Sequence, residues 1–141
     1  MELQEILIAL VVGVVVFLWL GTALTKVTRR LSFGKEREAI LKAWAEVDVL
    51  VKRGDELSLR LAVIHGDGVL DMGLRAKAFP GKTMADRLRF ATHKYRGLKQ
   101  VGWAHGLRNT LVHEPGYQFD RKNAKAAVIA FRAALHELGA L

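Results

Sequence analysis

Residues 6–24, ILIALVVGVVVFLWLGTAL, form nineteen consecutive positions without a charge. As a helix rising 1.5 Å per residue they reach about 28 Å, close to the roughly 30 Å hydrocarbon thickness of a bilayer. Phe17 and Trp19 lie toward the C-terminal end of the run, and Lys26, Arg29 and Arg30 follow it. Aromatic rings favour the headgroup level and basic residues stay on the cytoplasmic side. The pattern therefore predicts a single membrane span, with the N-terminus outside and the remainder in the cytoplasm. A cleaved signal peptide is the rival reading, with Gly21, Thr22 and Ala23 as the cleavage site. It fits less well, because such peptides open on a positive region and have a shorter apolar core, whereas Glu2 and Glu5 precede this long run.

Beyond the span the pattern becomes periodic. After a connector ending in Ser32, Phe33 and Gly34, the segment 35–53 places Ile40, Ala43, Trp44, Val47, Leu50 and Val51 at helical spacing. Residues 56–77 repeat the period through Leu57, Leu61, Ile64, Val69 and Leu74, interrupted by Gly66, Gly68 and Gly73. Glycine disfavours a helix by about 1 kcal/mol against alanine, so a small-residue face packed close to a neighbour is the reason to keep the helix. A strand at 61–64 is the alternative. Phe79, Pro80 and Gly81 break the chain, and Thr83 with Asp86 makes a capping box for a helix through about Tyr95. Gly97 and Gly102 bracket a turn. A fourth helix runs from about Gln100 to His113 and ends there, because Pro115 disfavours helical geometry at Glu114. Asp120 caps a last helix with an apolar stripe of Ala124, Ala127, Val128, Phe131, Ala134, Leu135 and Leu138, and Gly139 follows it.

The expected fold is all-α: an N-terminal transmembrane helix over 1–25, a juxtamembrane connector over 26–34, and an antiparallel four- to five-helix bundle over 35–141. Length allows this, since 141 residues provide one small domain beyond an anchor. Cysteine is absent, which excludes disulfides and thiolate metal sites. Net charge is +8 overall, and the part after the apolar run holds 22 basic and 12 acidic residues, a net +10. Such an excess favours polyanions, either nucleic acid or anionic lipid, although solubility and the basic bias of cytoplasmic segments explain it too.

Several motifs carry little chemistry. AKAFPGKT over 76–83 formally fits a permissive phosphate-loop pattern, but a helix precedes it and Phe-Pro fills the turn, so a loop and helix cap explain it better. His65, Asp67 and Asp71 are close in sequence, yet only the two aspartates share a helix face, and a structural or solvated role outweighs a metal site. No metal or cofactor is called for. Ser32 and Ser58 are the only serines and neither sits in a nucleophile elbow.

The informative stretch is AHGLRNTLVHEPG, residues 104–116. On a helix, Trp103, Leu107 and Leu111 make one face, while His105, Asn109 and His113 fall at i, i+4 and i+8 on the opposite one, flanked by Arg108. Two imidazoles, an amide and a guanidinium on one rigid element suit a scissile phosphate. Arginine braces phosphate oxygens, and histidine can take a 2′-hydroxyl proton or donate one to a leaving 5′-oxygen. His113 closes the helix, where the dipole suits an acid. Val112 interrupts the polar side, as expected where the helix meets a second subunit, and a twofold dimer would place two copies across one cleft. An ordinary solvated helix face accounts for the same residues.

Arg108-Asn109-Thr110-Leu111-Val112-His113 resembles the R-x4-6-H motif of the HEPN superfamily (higher eukaryotes and prokaryotes nucleotide-binding domains). RNTLVHEPGY followed by a final helix ending HELGAL resembles small bacterial single-pass membrane proteins with a C-terminal HEPN-like domain, over about the last 40 residues. The resemblance implies a helical bundle that dimerises through its motif helices and, in active members, is a metal-independent endoribonuclease. Arg108 and His113 would then be catalytic and Asn109 supportive, with His105 accessory on the helical wheel alone. Many members are non-catalytic, so an anchored protein-interaction or assembly module with an unidentified protein partner is the alternative. Arg87, Arg89, Lys94, Arg96 and Lys99, with Lys82 and Arg108, outnumber the single acid Asp86 by six across 82–108, an expected surface for RNA or anionic lipid.

Overall fold

The computed structural model describes residues 3–141. The described residues form α1 (Leu3–Arg53), α2 (Glu56–Ala76), α3 (Met84–Lys94), a 3-10 helix (Arg96–Val101), α4 (Gly102–His113) and α5 (Arg121–Glu137), with no strand. By its internal contacts the chain divides after Gly34 into two units, residues 1–34 and 35–141.

In the first unit, one helix near the N-terminus is long and apolar enough to cross a membrane. Its large apolar side chains from Ile6 to Leu24 are exposed. The hydroxyls of Thr22, Thr25 and Thr28 donate to the carbonyls of Trp19, Thr22 and Thr25, which keeps these polar groups satisfied without water. Residues 26–34, expected as a connector, also take helical geometry as part of α1, since this stretch holds no proline and only one glycine. The side chains of residues 29–32, among them Arg29 and Arg30 of the expected basic exit, lie outside the described ones, as does Glu2.

The second unit has a core built from the expected stripes of α1 and α5. Ile40, Trp44 and Val47 are buried, as are all seven residues of the α5 stripe. Asp120 accepts from the backbone of Lys122 and Asn123 at the N-terminus of α5. At its other end Ala140 N–H donates to Leu135 O across Gly139, which takes the left-handed φ of 67°. Leu138 and Ala140 are thereby turned back into the core. Both bonds of the Thr83–Asp86 capping box form, so α3 begins where its sequence indicates.

The face of α2 differs from the expected one. Leu59, Ala62, Val63, Gly66, Leu70, Gly73 and Leu74 are buried, whereas Leu57 is 67% exposed and Leu61 and Ile64 are only half-buried. The glycines explain the rotation. A Cβ on Gly66 would lie 3.0 Å from the Phe131 ring, and one on Gly73 would lie 2.9 Å from Leu135 Cδ2. These two glycines line the seam with α5 as the expected small-residue face, and of the expected apolar stripe Val69 and Leu74 are buried beside it. Gly68 faces open space and has no such role.

Asp71, also on α2, is buried and receives the guanidinium of Arg87 from α3 at 2.7 and 3.0 Å, and that of Arg75 from its own helix. Burial alone would raise the Asp71 carboxyl, but these guanidiniums hold it below the usual carboxylate range.

The two classes of glycine on α2 respond oppositely to alanine. Gly68→Ala is expected to stabilise the domain by about 0.5–1 kcal/mol through helix propensity. Gly73→Ala is expected to destabilise it by about 1 kcal/mol or more, because fully buried Leu135 has nowhere to move. Urea unfolding of both variants measures the difference, and equal effects would contradict the seam.

Candidate functional site

Helix α4 continues directly from the 3-10 turn at Gly102 and stops at His113. Glu114, held extended at ψ 95° before Pro115, closes it with its N–H on Thr110 O at 2.9 Å. The helix buries little of itself. Ala104 is its one buried side chain, and Leu107 and Leu111 pack half-buried on the core. Trp103, expected on the same face, is instead 46% exposed. The other side of the helix sits over a charge.

Asp67, in the middle of α2, is only 4% exposed. His105 Nδ1 lies 2.8 Å from its Oδ1, and Arg108 Nε lies 3.6 Å from its Oδ2, an ion-pair distance too long for a hydrogen bond. Arg108 Nη1 donates to Asn109 Oδ1 at 3.0 Å. That contact fixes the amide, since its oxygen faces the guanidinium and its nitrogen must face away. The Asn109 Nδ2 so oriented lies 3.3 Å from His105 Nε2. An amide NH2 can only donate, so His105 accepts at Nε2 and donates from Nδ1 to Asp67. Asp67, His105, Asn109 and Arg108 thus close a ring of polar contacts in which each member sets the next. Arg108 keeps 32% of its side chain exposed, and its Nη2 has no hydrogen-bond partner among the described residues.

His113 stands apart. It is exposed at the end of α4 and makes no hydrogen bond or ion pair among the described residues. The structure therefore brings together three of the four expected site residues, His105, Arg108 and Asn109, and leaves His113 at the solvent edge of the same helix. Val112 beside it is also exposed.

Comparison with protein-family models, curated proteins and solved structures finds no match. What the site does must be read from its own geometry.

The expected basic surface divides in two. Arg87 is only 11% exposed and donates from Nε and Nη2 to Asp71 and from Nη1 to Gly81 O at 2.7 Å. It is a structural cation and does not contribute to a phosphate-binding face. Arg89, Lys94, Arg96 and Lys99 are exposed along α3 and the 3-10 turn. Arg89 and Lys94 lie over the rings of Phe90 and Tyr95, at 5.6 and 5.5 Å.

The residue that sequence reasoning assigned too small a part is Asp67. Its signal was present, because two carboxylates four residues apart on an otherwise apolar helix require cationic partners once buried. Apart from Arg75, four residues on from Asp71, their partners lie on other helices, Arg87 for Asp71 and His105 with Arg108 for Asp67, and no local spacing shows those. Among the described residues, no cluster of three acids or histidines could hold a metal ion.

Removing the central carboxylate should be costly. Asp67→Ala is expected to destabilise the domain by about 2–3 kcal/mol, below the usual 3–5 for a broken buried pair because Arg108 remains partly in water. Asp67→Asn keeps an acceptor for His105 Nδ1–H and should cost about half as much. Chemical denaturation reads both, and a stable Asp67→Ala would show that the ring does not hold α4.

Proposed function

We propose that the chain is a membrane-tethered HEPN-like domain that binds RNA on its cytoplasmic side and cleaves it without a metal, as a homodimer paired through α4. The observation that carries this reading is the contrast on one helix between a guanidinium oriented by Asp67 and Asn109 and an exposed, unpartnered imidazole at His113. A histidine engaged on both nitrogens, like His105, cannot readily exchange a proton with substrate. His113 is free to do so.

Each side chain then has a defined task. Arg108 braces the non-bridging oxygens of a phosphodiester through its unused Nη2 and neutralises charge developing there. One His113 takes the proton of the 2′-hydroxyl as that oxygen bonds to phosphorus. The P–O5′ bond breaks, and the other subunit's copy of this histidine supplies the proton to the departing 5′-oxygen. The products are a 2′,3′-cyclic phosphate and a free 5′-hydroxyl. Exposed Val112 on α4 supplies apolar surface for pairing. Cationic side chains on α3 and the 3-10 turn attract the RNA backbone. A single span would confine this chemistry to the membrane surface.

A second reading draws on a different feature. A groove of about 340 Å³ between the 35–53 segment of α1 and α5, lined by Val51, Val128 and Ile129 and bounded by the Asp48–Arg132 ion pair, suits an anchored module that binds another protein.

Labelled RNA incubated with the full-length protein in detergent and EDTA separates the two. Wild type is expected to cleave and His113→Ala to lose at least 10²-fold in rate with little change in melting temperature, since the exposed side chain makes no hydrogen bond or ion pair among the described residues. Equal cleavage by both proteins removes the catalytic assignment, and no cleavage by either favours the binding module.

A further inference from the structure

Between α3 and α4 lies a cavity of about 280 Å³. Leu88 of α3 and Leu98 of the 3-10 turn, both buried, give it an apolar floor. Arg89 and Lys99 stand at its sides, both exposed, and neither is held in an ion pair among the described residues. Gly102 and His105 close it from α4. No carboxylate lines it. With both its ring nitrogens engaged by Asp67 and Asn109, His105 offers the cavity ring carbon.

We infer that this cavity is a subsite for one unpaired nucleotide of single-stranded RNA, the base entering against Leu88, Leu98 and His105 and the adjoining phosphates resting on Arg89 and Lys99. The inference rests on the RNA reading above and deepens it. Its size lies at the low end of small-ligand pockets, about 300–1,000 Å³, which limits the occupant to about one base. Its chemistry, an apolar floor between two cations without ion pairs among the described residues, matches a base flanked by phosphates better than a polypeptide backbone or a bare anion. Its position matters most. His105 belongs both to the cavity and to the ring that orients Arg108, so a nucleotide held here leads its neighbour onto α4. A base paired in a duplex could not enter, and so the site selects single strands.

Gly102 provides the means to test this without touching charge or core. It is helical, and a Cβ added there meets nothing within 4 Å. Gly102→Leu should therefore fold at least as stably as wild type while adding bulk at the edge of the cavity that Gly102 lines. Gly68→Leu, at a glycine on α2 equally free of neighbours, controls for a bulky surface substitution. Binding is read by anisotropy of a fluorescein-labelled single-stranded RNA hexamer against full-length protein in detergent, from 50 to 200 mM salt.

Gly102→Leu is expected to weaken binding about tenfold with an unchanged salt slope, as loss of one base contact should. Arg89→Ala and Lys99→Ala should each weaken binding and lower the slope by about one. Gly68→Leu should bind as wild type does, and a duplex of equal length should bind at least tenfold more weakly. If wild type binds the hexamer but Gly102→Leu binds equally well, or Gly68→Leu is equally impaired, the subsite is wrong and the RNA reading survives. If the duplex binds as tightly as the single strand, the subsite is likewise wrong. If wild type binds no RNA, or anionic vesicles alone, the parent reading falls and takes the subsite with it.

Discussion

A carboxylate buried in the middle of an apolar helix has to be met by donors or cations, and the arrangement of this domain around its presumptive site follows from that requirement at Asp67. Helix α4 meets it with His105 and Arg108, which can reach the carboxylate only if the helix is rolled so that they point inward. Trp103 at the start of α4 and Val112 and His113 at its end are left exposed, beyond the part of the helix that meets Asp67. An uncompensated buried charge costs several kcal/mol, so these contacts and the packing of Ala104, Leu107 and Leu111 on the core fix the helix together.

Asp71 repeats the device one turn further along α2. It holds α3 through Arg87 as Asp67 holds α4 through His105 and Arg108. Four residues of helix separate the two carboxylates by about 6 Å along the axis. Helix α2 thus acts as a ruler against which both α3 and α4 are positioned, and the cavity between them is a consequence of where each is pinned. The exposed cations of α3 lie on one side of that cavity and the polar ring of α4 on the other, so the placement of both is set by the same helix.

Much of the fold was legible as periodicity. The α5 stripe, the cap at Asp120, the capping box at Thr83 and the stop before Pro115 are local signals, and each is found where its residues indicate. What could not be read depends on partners distant in sequence. On α2 the small-residue face expected from the glycines is found at Gly66 and Gly73, but that it faces Phe131 and Leu135, leaving Leu57 outside, depends on residues far along the chain. Arg87 looked like one more surface cation until its carboxylate, 16 residues away, was in place. Asp67 lies 38 residues from His105, a separation that carries no helical or strand period. Within the site, the wheel grouped His105 and Asn109 correctly because they share one helix. It could not show that His105 is engaged on both nitrogens while His113 is not.

The ring of contacts makes an unusual demand on one proton. Because Arg108 fixes the amide of Asn109 and that amide donates to Nε2, the neutral His105 imidazole must carry its hydrogen on Nδ1, facing Asp67. Long-range 1H–15N correlation spectra of the histidine rings, assigned through His105→Gln, report the tautomer directly. A protonated Nδ1 and an unprotonated Nε2 at His105 are the predicted result. The reverse tautomer, with hydrogen on Nε2, would show that Asp67 does not receive this proton and would contradict the constraint that sets the orientation of α4.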